Sequence, residues 1–546
     1  MKRILLLFMA IITIASCAGC SQQPTDDVKM DLSGKYKLDI ERNEAIVDDA
    51  GMITKTVDGN ARIYYHIFVG SFSDSNGDGI GDLRGIINRF DYLNDGDPDS
   101  GVSLGVEGIW LSPIFSSPSY HKYDTTNYYK IDPQFGTEAD LKELIDLCHE
   151  RGVQIILDLV INHTSSQHSA FLEFCNAHKY FDTTNPYYDY FSWSETGKET
   201  GTWSPIPGAS GHYYECNFSG DMPELNYNNE TVRQDMVDIA AYYLRLGVDG
   251  FRFDAAKYIY YGTTQPNTDF WDWYMAQLRA IKPDIYTVAE VWDADSVAFP
   301  YFSSTNCFNF SMAQASGKIA ETAKGGNVNG FVTYIDNYLN SIYAYNPAAM
   351  MVTFIANHDT DRAAGYLTTA TGHAKVAANL SILLPGSTFI YYGEEIGMLG
   401  SRGGANTDAN RRLAMLWGDE DTIRNPTGST YTATQANGTV ADQLPDGDSL
   451  YNHYKKLIAI RKANPEIAYG KYSPLSTSGK YGGFLCTYEG KTVAVIHNTT
   501  KDAVSIDLSQ LTDTQLTQLA AIVGVGTASL EGNTLVIEGQ TSVVLR

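Results

Sequence analysis

The chain has 546 residues, 43% of them hydrophobic and 19% charged, a composition that excludes wholesale disorder and leaves room for two or three domains. Lys plus Arg number 39 against 64 Asp plus Glu, a formal charge of −25. That field repels phosphate, so nucleic acid and anionic membrane surfaces are excluded as partners and a neutral substrate fits.

At the N-terminus, Lys2 and Arg3 precede an apolar run, Ile4 to Ile14, and then Ala15-Ser16-Cys17-Ala18-Gly19-Cys20. The run is too short to span a bilayer and has the length of a secretory h-region. A small-residue site ending in Cys is similar to a bacterial lipoprotein signal, with Cys17 the better candidate for lipidation and Cys20 the second. The expectation is a signal over residues 1–20 and a polar tether and lead-in over 21–60. It places the protein outside the cell or on its surface, touching membrane only through an N-terminal lipid anchor. Cys148, Cys175, Cys216, Cys307 and Cys486 remain, an odd number without paired spacing or a CxxC, so no disulfide is required and a zinc or redox site is not indicated.

From Ile63 onward, short apolar runs alternate with helical patterns. The runs are Ile63–Phe68, Val106–Ile114, Val153–Ile161, Val248–Phe253, Ile285–Ala289, Cys307–Ser311, Met350–Ile355 and Phe389–Tyr392. Near-continuous apolar strands belong to a parallel sheet covered on both faces, and eight of them close a (β/α)8 TIM barrel. Between them, Leu141, Leu144, Ile145 and Cys148 make one helical stripe stopped by Gly152, and Val232, Met236, Ile239 and Tyr243 make another stopped by Gly247.

After the first strand, Asp74, Asn76 and Asp78 put oxygens at alternate positions with Gly79 for a sharp turn. This copies the first part of an EF-hand calcium loop, although the position of the bidentate Glu is Gly85. After the third strand, about 65 residues show no helical periodicity and are rich in rings, among them Tyr187, Tyr188, Tyr190, Trp193, Trp203, Tyr213 and Tyr214. A structureless loop of that length is uncommon, so a small inserted domain over 164–228 is expected, dividing the barrel into 61–163 and 229–449. Residues 450–546 begin with a helix at Tyr451–Arg461. Alternating segments such as Phe484–Tyr488, Thr492–His497, Ala503–Leu508 and Thr534–Ile537 follow and predict an antiparallel β-sandwich.

Three carboxylates end strands: Asp254 after Gly250-Phe-Arg252-Phe, Glu290 after Tyr286-Thr-Val-Ala, and Asp359 after Asn357-His358. In a parallel barrel all three reach the rim at the strand C-termini. Paired carboxylates are what glycosidic cleavage needs. Arg252 lies two residues before Asp254, on the same side of its strand, and is expected to hold it ionised. The apolar approach to Glu290 favours the protonated form of a general acid. His163, ending Asp158-Leu-Val-Ile-Asn162-His163, and His358 can donate to sugar hydroxyls, and Asp359 can accept from them.

These motifs, with Gly105-Val-Glu-Gly-Ile-Trp-Leu-Ser-Pro113 and Pro385-Gly-Ser-Thr-Phe-Ile-Tyr-Tyr-Gly-Glu-Glu395, resemble those of the α-amylase family, glycoside hydrolase family 13. The resemblance implies Asp254 as nucleophile, Glu290 as acid/base and Asp359 as transition-state stabiliser, in retaining cleavage of α-glucans. It implies a sugar-stacking role for Tyr123 and an Asp124 that pairs with Arg411 or Arg412 to grip a chain end. It implies substrate contacts from His163, Arg252, Lys257 and His358. It also implies a structural Ca²⁺ held by Asp74, Asn76, Asp78, Asp82 and the Ile80 carbonyl. The sequence departs from many members at Lys257-Tyr258, where Lys-His is common. Met222-Pro-Glu-Leu-Asn226 lies between oligo-1,6-glucosidase-like and neopullulanase-like versions. Ala255, a small residue after the nucleophile, implies α-1,4 bonds by the same resemblance. An exo-α-glucosidase, a neopullulanase or cyclomaltodextrinase, and a 4-α-glucanotransferase share the same residues. A non-catalytic sugar-binding scaffold would be expected to lose one of the three carboxylates, and this chain keeps all three.

Overall fold

Eight short strands form one parallel sheet: β1 (Ile63–Ile67), β2 (Gly108–Leu111), β3 (Gln154–Leu159), β4 (Gly250–Phe253), β5 (Tyr286–Ala289), β6 (Asn306–Cys307), β7 (Val352–Phe354) and β8 (Ser387–Tyr391). Their spatial order is β6-β5-β4-β3-β2-β1-β8-β7. A parallel bridge between Phe308 and Val352 joins the two ends, with Asn309 N–H donating to the Val352 carbonyl at 2.9 Å, and so closes the barrel. This computed structural model describes residues 59–546 apart from 99, 405, 406, 476, 478 and 480. The expected signal, Cys17, Cys20 and the tether lie outside the described residues.

Alternation along each strand fills the barrel. Tyr64, Trp110, Ile156, Tyr286, Val288, Val352, Phe354 and Phe389 form one buried cluster. Tyr64 stacks between Tyr286 and Phe389 at centroid distances of 4.8 and 4.7 Å. Counting on by twos from these inward residues gives Asp158 from Ile156 and Glu290 from Tyr286 and Val288. On β4, Phe253 points outward onto Trp271, which leaves Arg252 and then Asp254 for the interior side. The apolar cluster is thus the floor under the polar groups of the rim.

The helices outside follow their stripes. The helix α1 (Glu138–Glu150) opens on a capping box between Thr137 and Asp140 and buries Leu141, Leu144, Ile145 and Cys148. The helix α2 (Glu230–Leu246) ends at Gly247, whose φ of 119° is open to glycine at little cost. The insert after β3 departs from expectation in one respect. It contains a helix, Ser169–Tyr180, that buries Ala170, Phe171, Phe174, Ala177 and His178. That spacing is helical; the dense rings and turns around it hide the period. Beyond it, Trp193–Ser194, Trp203–Pro205 and Tyr213–Glu215 make a small antiparallel sheet.

A helix, α3 (Leu450–Ala463), leads to the C-terminal strands. A five-stranded and a three-stranded antiparallel sheet face each other across Leu475, Ala494, Ile496, Ile506, Leu535, Ile537 and Val543, the expected sandwich. All five cysteines among the described residues are free. No described helix is long and apolar enough to cross a membrane.

Gly250 is an interior position with no room for a side chain: an added Cβ would lie 1.7 Å from the Tyr286 carbonyl oxygen of the neighbouring strand. Gly250→Ala must therefore push β4 from β5 directly beneath the carboxylates. The expected cost is about 1–3 kcal/mol, read as a lower midpoint of thermal or urea unfolding; an unchanged midpoint would contradict this packing.

Candidate active site

Arg252 is 1% exposed and stands at the centre of the rim. Its Nη1 donates to Asp158 Oδ1 at 2.8 Å and to Asp254 Oδ1 at 2.6 Å, and its Nη2 donates to Glu290 Oε2 at 2.7 Å. Its underside faces Trp110, 5.2 Å from the ring centroid. One guanidinium thus fixes three carboxylates from three neighbouring strands through the two terminal nitrogens of its planar fork, which an ammonium lacks.

Three buried carboxylates around one cation carry an excess of negative charge, and the protonation states respond. Burial pushes Glu290 up to about 8, with the nearby Asp254 and Asp359 charges adding to the rise against the pull of Arg252. Burial likewise pushes Asp158 up to about 7, against the same guanidinium. Glu290 therefore carries a proton at neutral pH, as expected of an acid.

Asp359 belongs to a second cation. Burial alone would raise it, but His358 Nε2, 2.9 Å from Oδ2, and Arg412 Nη2, 2.8 Å from Oδ1, outweigh that and hold it far below the usual carboxylate range. The Nδ1 of His358 has no partner among the described residues, so Nε2 carries the ring proton. That nitrogen also lies 2.5 Å from the Tyr123 hydroxyl, which in turn donates to Asp158 Oδ2 at 3.0 Å. Tyr123 stacks on His358 with ring planes 7° apart. It so links the Arg252 group of acids to the Asp359 group.

The backbone is bent to this purpose at two places. Ala255, just after Asp254, has a φ of 45°, and its N–H donates to Glu290 Oε2 at 3.3 Å. A left-handed conformation is costliest for β-branched side chains, so a small residue suits it. Lys122, beside Tyr123, has a φ of 65° and is anchored by Asp132 at 2.9 Å.

The other expected residues divide. His163 lies in the site, but both ring nitrogens face protein acceptors, Asn162 Oδ1 at 2.9 Å and the Tyr123 carbonyl at 3.2 Å. Lys257 donates to the Trp292 carbonyl and to Asp293, at 2.8 and 2.9 Å. Asp124 is not gripped by an arginine. It accepts from the Ser117 and Ser119 hydroxyls. Arg412 is committed to Asp359, the His358 carbonyl and the Tyr120 hydroxyl. Arg411 is committed to Asp361, Asp408 and the Asp359 carbonyl. The expected pairing of Asp124 with Arg411 or Arg412 is therefore corrected: closer acceptors hold both arginines.

Sequence reading assigns no role to Asp158 as a partner of Arg252, although the inward parity it shares with Ile156 carries that signal. It also passes over Trp292, 41% exposed and stacked on Phe310 at 4.9 Å, and Phe218, 46% exposed and 5.4 Å from His163. Trp292 stands two residues after Glu290, a place on the rim that strand parity indicates.

In the Asp74–Asp82 loop, side-chain oxygens mostly receive the loop's own N–H groups. Asp74 accepts from Asn76, Gly77 and Gly79, Asn76 from Asp78, and Asp78 from Ile80, at 2.7–3.0 Å. Asp82 caps a helix at Gly85 N–H and accepts from Ser75. The donor chemistry suits a hard cation. Among the described residues, however, no group of three or more Asp, Glu, His or Cys side chains is arranged to hold a metal ion.

Residues 66–470 match the family model described as alpha amylase, catalytic domain. The chain is 36% identical over 443 residues to "Alpha-amylase 3" of Dictyoglomus thermophilum, covering 80% of this chain and 84% of that one. It is 30% identical over 441 residues to a cyclomaltodextrinase of Thermoanaerobacter pseudethanolicus, covering 79% and 66%. Among solved structures, Eubacterium rectale Amy13B superposes with a TM-score of 0.82 at 33% identity, covering 92% of this chain and 98% of that one.

The protonated Glu290 is open to direct measurement. Infrared difference spectra of wild type against Glu290→Gln should show a protonated carboxyl band that disappears with a midpoint near pH 8. A band already lost by pH 5 would contradict the arrangement.

Proposed function

The chain belongs to the α-amylase family and is a glycoside hydrolase, and from that premise we propose that it cleaves α-1,4-glucosidic bonds in starch, maltodextrins and related glucans with retention of configuration. The observation that carries this reading is the shared guanidinium: Asp254 and Glu290 sit on the two terminal nitrogens of Arg252, at 2.6 and 2.7 Å. Two carboxylates drawn together in this way suit the close pair of a retaining site, about 5–5.5 Å apart, better than the wider pair of an inverting one.

Asp254 attacks the anomeric carbon while the Glu290 proton passes to the departing glycosidic oxygen. The glycosyl–Asp254 bond forms as the glycosidic bond breaks. Glu290, now ionised, takes a proton from water, whose oxygen attacks the same carbon and releases Asp254. Asp359, kept anionic by His358 and Arg412, accepts hydrogen bonds from ring hydroxyls as positive charge develops on the sugar. Ala255 supports the α-1,4 preference through the family resemblance. Asp124, bonded at Oδ1 to Ser117 and Ser119 and not to an arginine, supports internal cleavage over the chain-end clamp that the family resemblance implies. A 4-α-glucanotransferase would use the same intermediate and pass it to a sugar hydroxyl instead of water.

Two further proposals rest on the sequence. Ca²⁺ would be held by Asp74, Asn76, Asp78, Asp82 and the Ile80 carbonyl on donor chemistry alone, as a structural ion. Export with lipidation at Cys17 or Cys20 would put the enzyme on the cell surface, where polymeric glucan is met.

Asp254→Asn should abolish turnover of maltooligosaccharides, and Glu290→Gln should lower kcat about 10²–10⁴-fold; full activity in the first would refute the assigned nucleophile. Early products from soluble starch should be a spread of maltooligosaccharides released as α-anomers. Glucose alone would mean exo action, and products longer than a defined substrate would mean transfer. For calcium, elemental analysis should find one ion per chain and chelation should lower the melting temperature; neither effect would appear without the site.

A further inference from the structure

A cavity of about 510 Å³ lies between the insert and the segment that follows β4, away from the three carboxylates. Its size is that of a ligand site, roughly 300–1,000 Å³. Trp193, Trp203 and Tyr261 line it, with Glu199, Glu215 and Asn228. The fold treats the rings of the insert unequally. Tyr187, Tyr188, Tyr190 and Tyr214 are buried as its core, whereas Trp193 and Trp203 are only half-buried and Tyr261 is 38% exposed. The buried side of Trp193 packs on His178, Tyr188 and His212, and its Nε1 is tied to Asp189 at 2.8 Å. The Trp203 Nε1 donates to the Glu199 carbonyl at 3.2 Å. Both indoles are thus held in place by their own insert, a rigid surface prepared in advance.

The chemistry of the lining selects the ligand. No Lys, Arg or His borders the cavity, so an anion finds no partner there. The described residues contain no cluster of acids fit for a metal. Flat rings beside carboxylate and amide oxygens match a neutral sugar, whose C–H face stacks while its hydroxyls donate and accept.

The cavity is also joined to the active site. Phe218 lies 5.4 Å from His163 and 4.8 Å from Tyr258, and Tyr258 lies 5.6 Å from Tyr261, which borders the cavity. The rings form one track across the rim.

We propose that the cavity lined by Trp193, Trp203 and Tyr261 is a second α-glucan site, joined to the active site by the Phe218–Tyr258–Tyr261 track, and that it favours substrates long enough to reach both. This rests on the α-glucan reading of the active site. A long chain anchored in the cavity gains effective concentration at the carboxylates, and a short one does not.

The test is Trp203→Ala, with Trp203→Phe as the conservative variant, assayed on soluble starch and on maltotriose. The ratio of kcat/KM on starch to that on maltotriose should fall about five- to tenfold in Trp203→Ala, the value of one stacked ring, and recover in Trp203→Phe. Native gels cast with soluble starch should retard Asp254→Asn, and the double variant Asp254→Asn/Trp203→Ala should migrate faster. An unchanged ratio, or an equal loss on both substrates, would overturn the proposal. If wild type turns over neither glucan, the functional reading fails, and the gels alone decide whether the cavity binds glucan.

Discussion

One buried guanidinium organises the site. Arg252 is 1% exposed and touches Asp158, Asp254 and Glu290. Burying a single cation with three ionised carboxylates would leave uncompensated charge in a poorly solvated place, at a cost of several kcal/mol per ion. The group relieves this by keeping protons. Glu290 and Asp158 both rise, to about 8 and about 7. Asp254 is bonded to the same guanidinium at 2.6 Å. The acid role of Glu290 follows from its burial beside other carboxylate charges, more than from the chemistry of Asp against Glu.

Asp359 makes no bond to Arg252, although its charge reaches Glu290. Its cation is Arg412, from a segment after β8, and its hydrogen-bond donor is His358. Tyr123 runs between the two groups, donating to Asp158 and accepting from His358. Two arginines from different parts of the chain therefore anchor the two groups of acids. The apolar cluster of Tyr64, Trp110, Tyr286 and Phe389 beneath them gives the floor that keeps water from screening the arrangement.

Much of this is legible in the residues, because period-two alternation carries it. Once β4 and β5 are recognised as inward–outward strands, Arg252, Asp254 and Glu290 must share the interior. The eight strands are legible as near-continuous apolar runs, both helical stripes by their 3.6-residue period, and the C-terminal sandwich by alternation. What sequence does not show is which of several nearby partners a long side chain takes. Arg411 and Arg412 stand close enough in the chain to serve Asp124, but the turn after β7 brings Asp359 and Asp361 nearer. The helix Ser169–Tyr180 escapes notice because its apolar period is set among rings that are buried for other reasons. Trp203 and Tyr187 look alike as residues, and only the fold separates a surface ring from a core ring.

The pH dependence of kcat/KM in wild type and Arg252→Gln, with folding of the variant verified by its melting curve, tests the central claim most directly. The cation holds Glu290 down against burial, so its removal raises the acid further. The account predicts a descending limb near pH 8 in wild type and a limb at higher pH, with a lower plateau, in the variant. A wild-type limb near the ordinary glutamate value of about 4.3, or a limb that does not move when the guanidinium is removed, would contradict it.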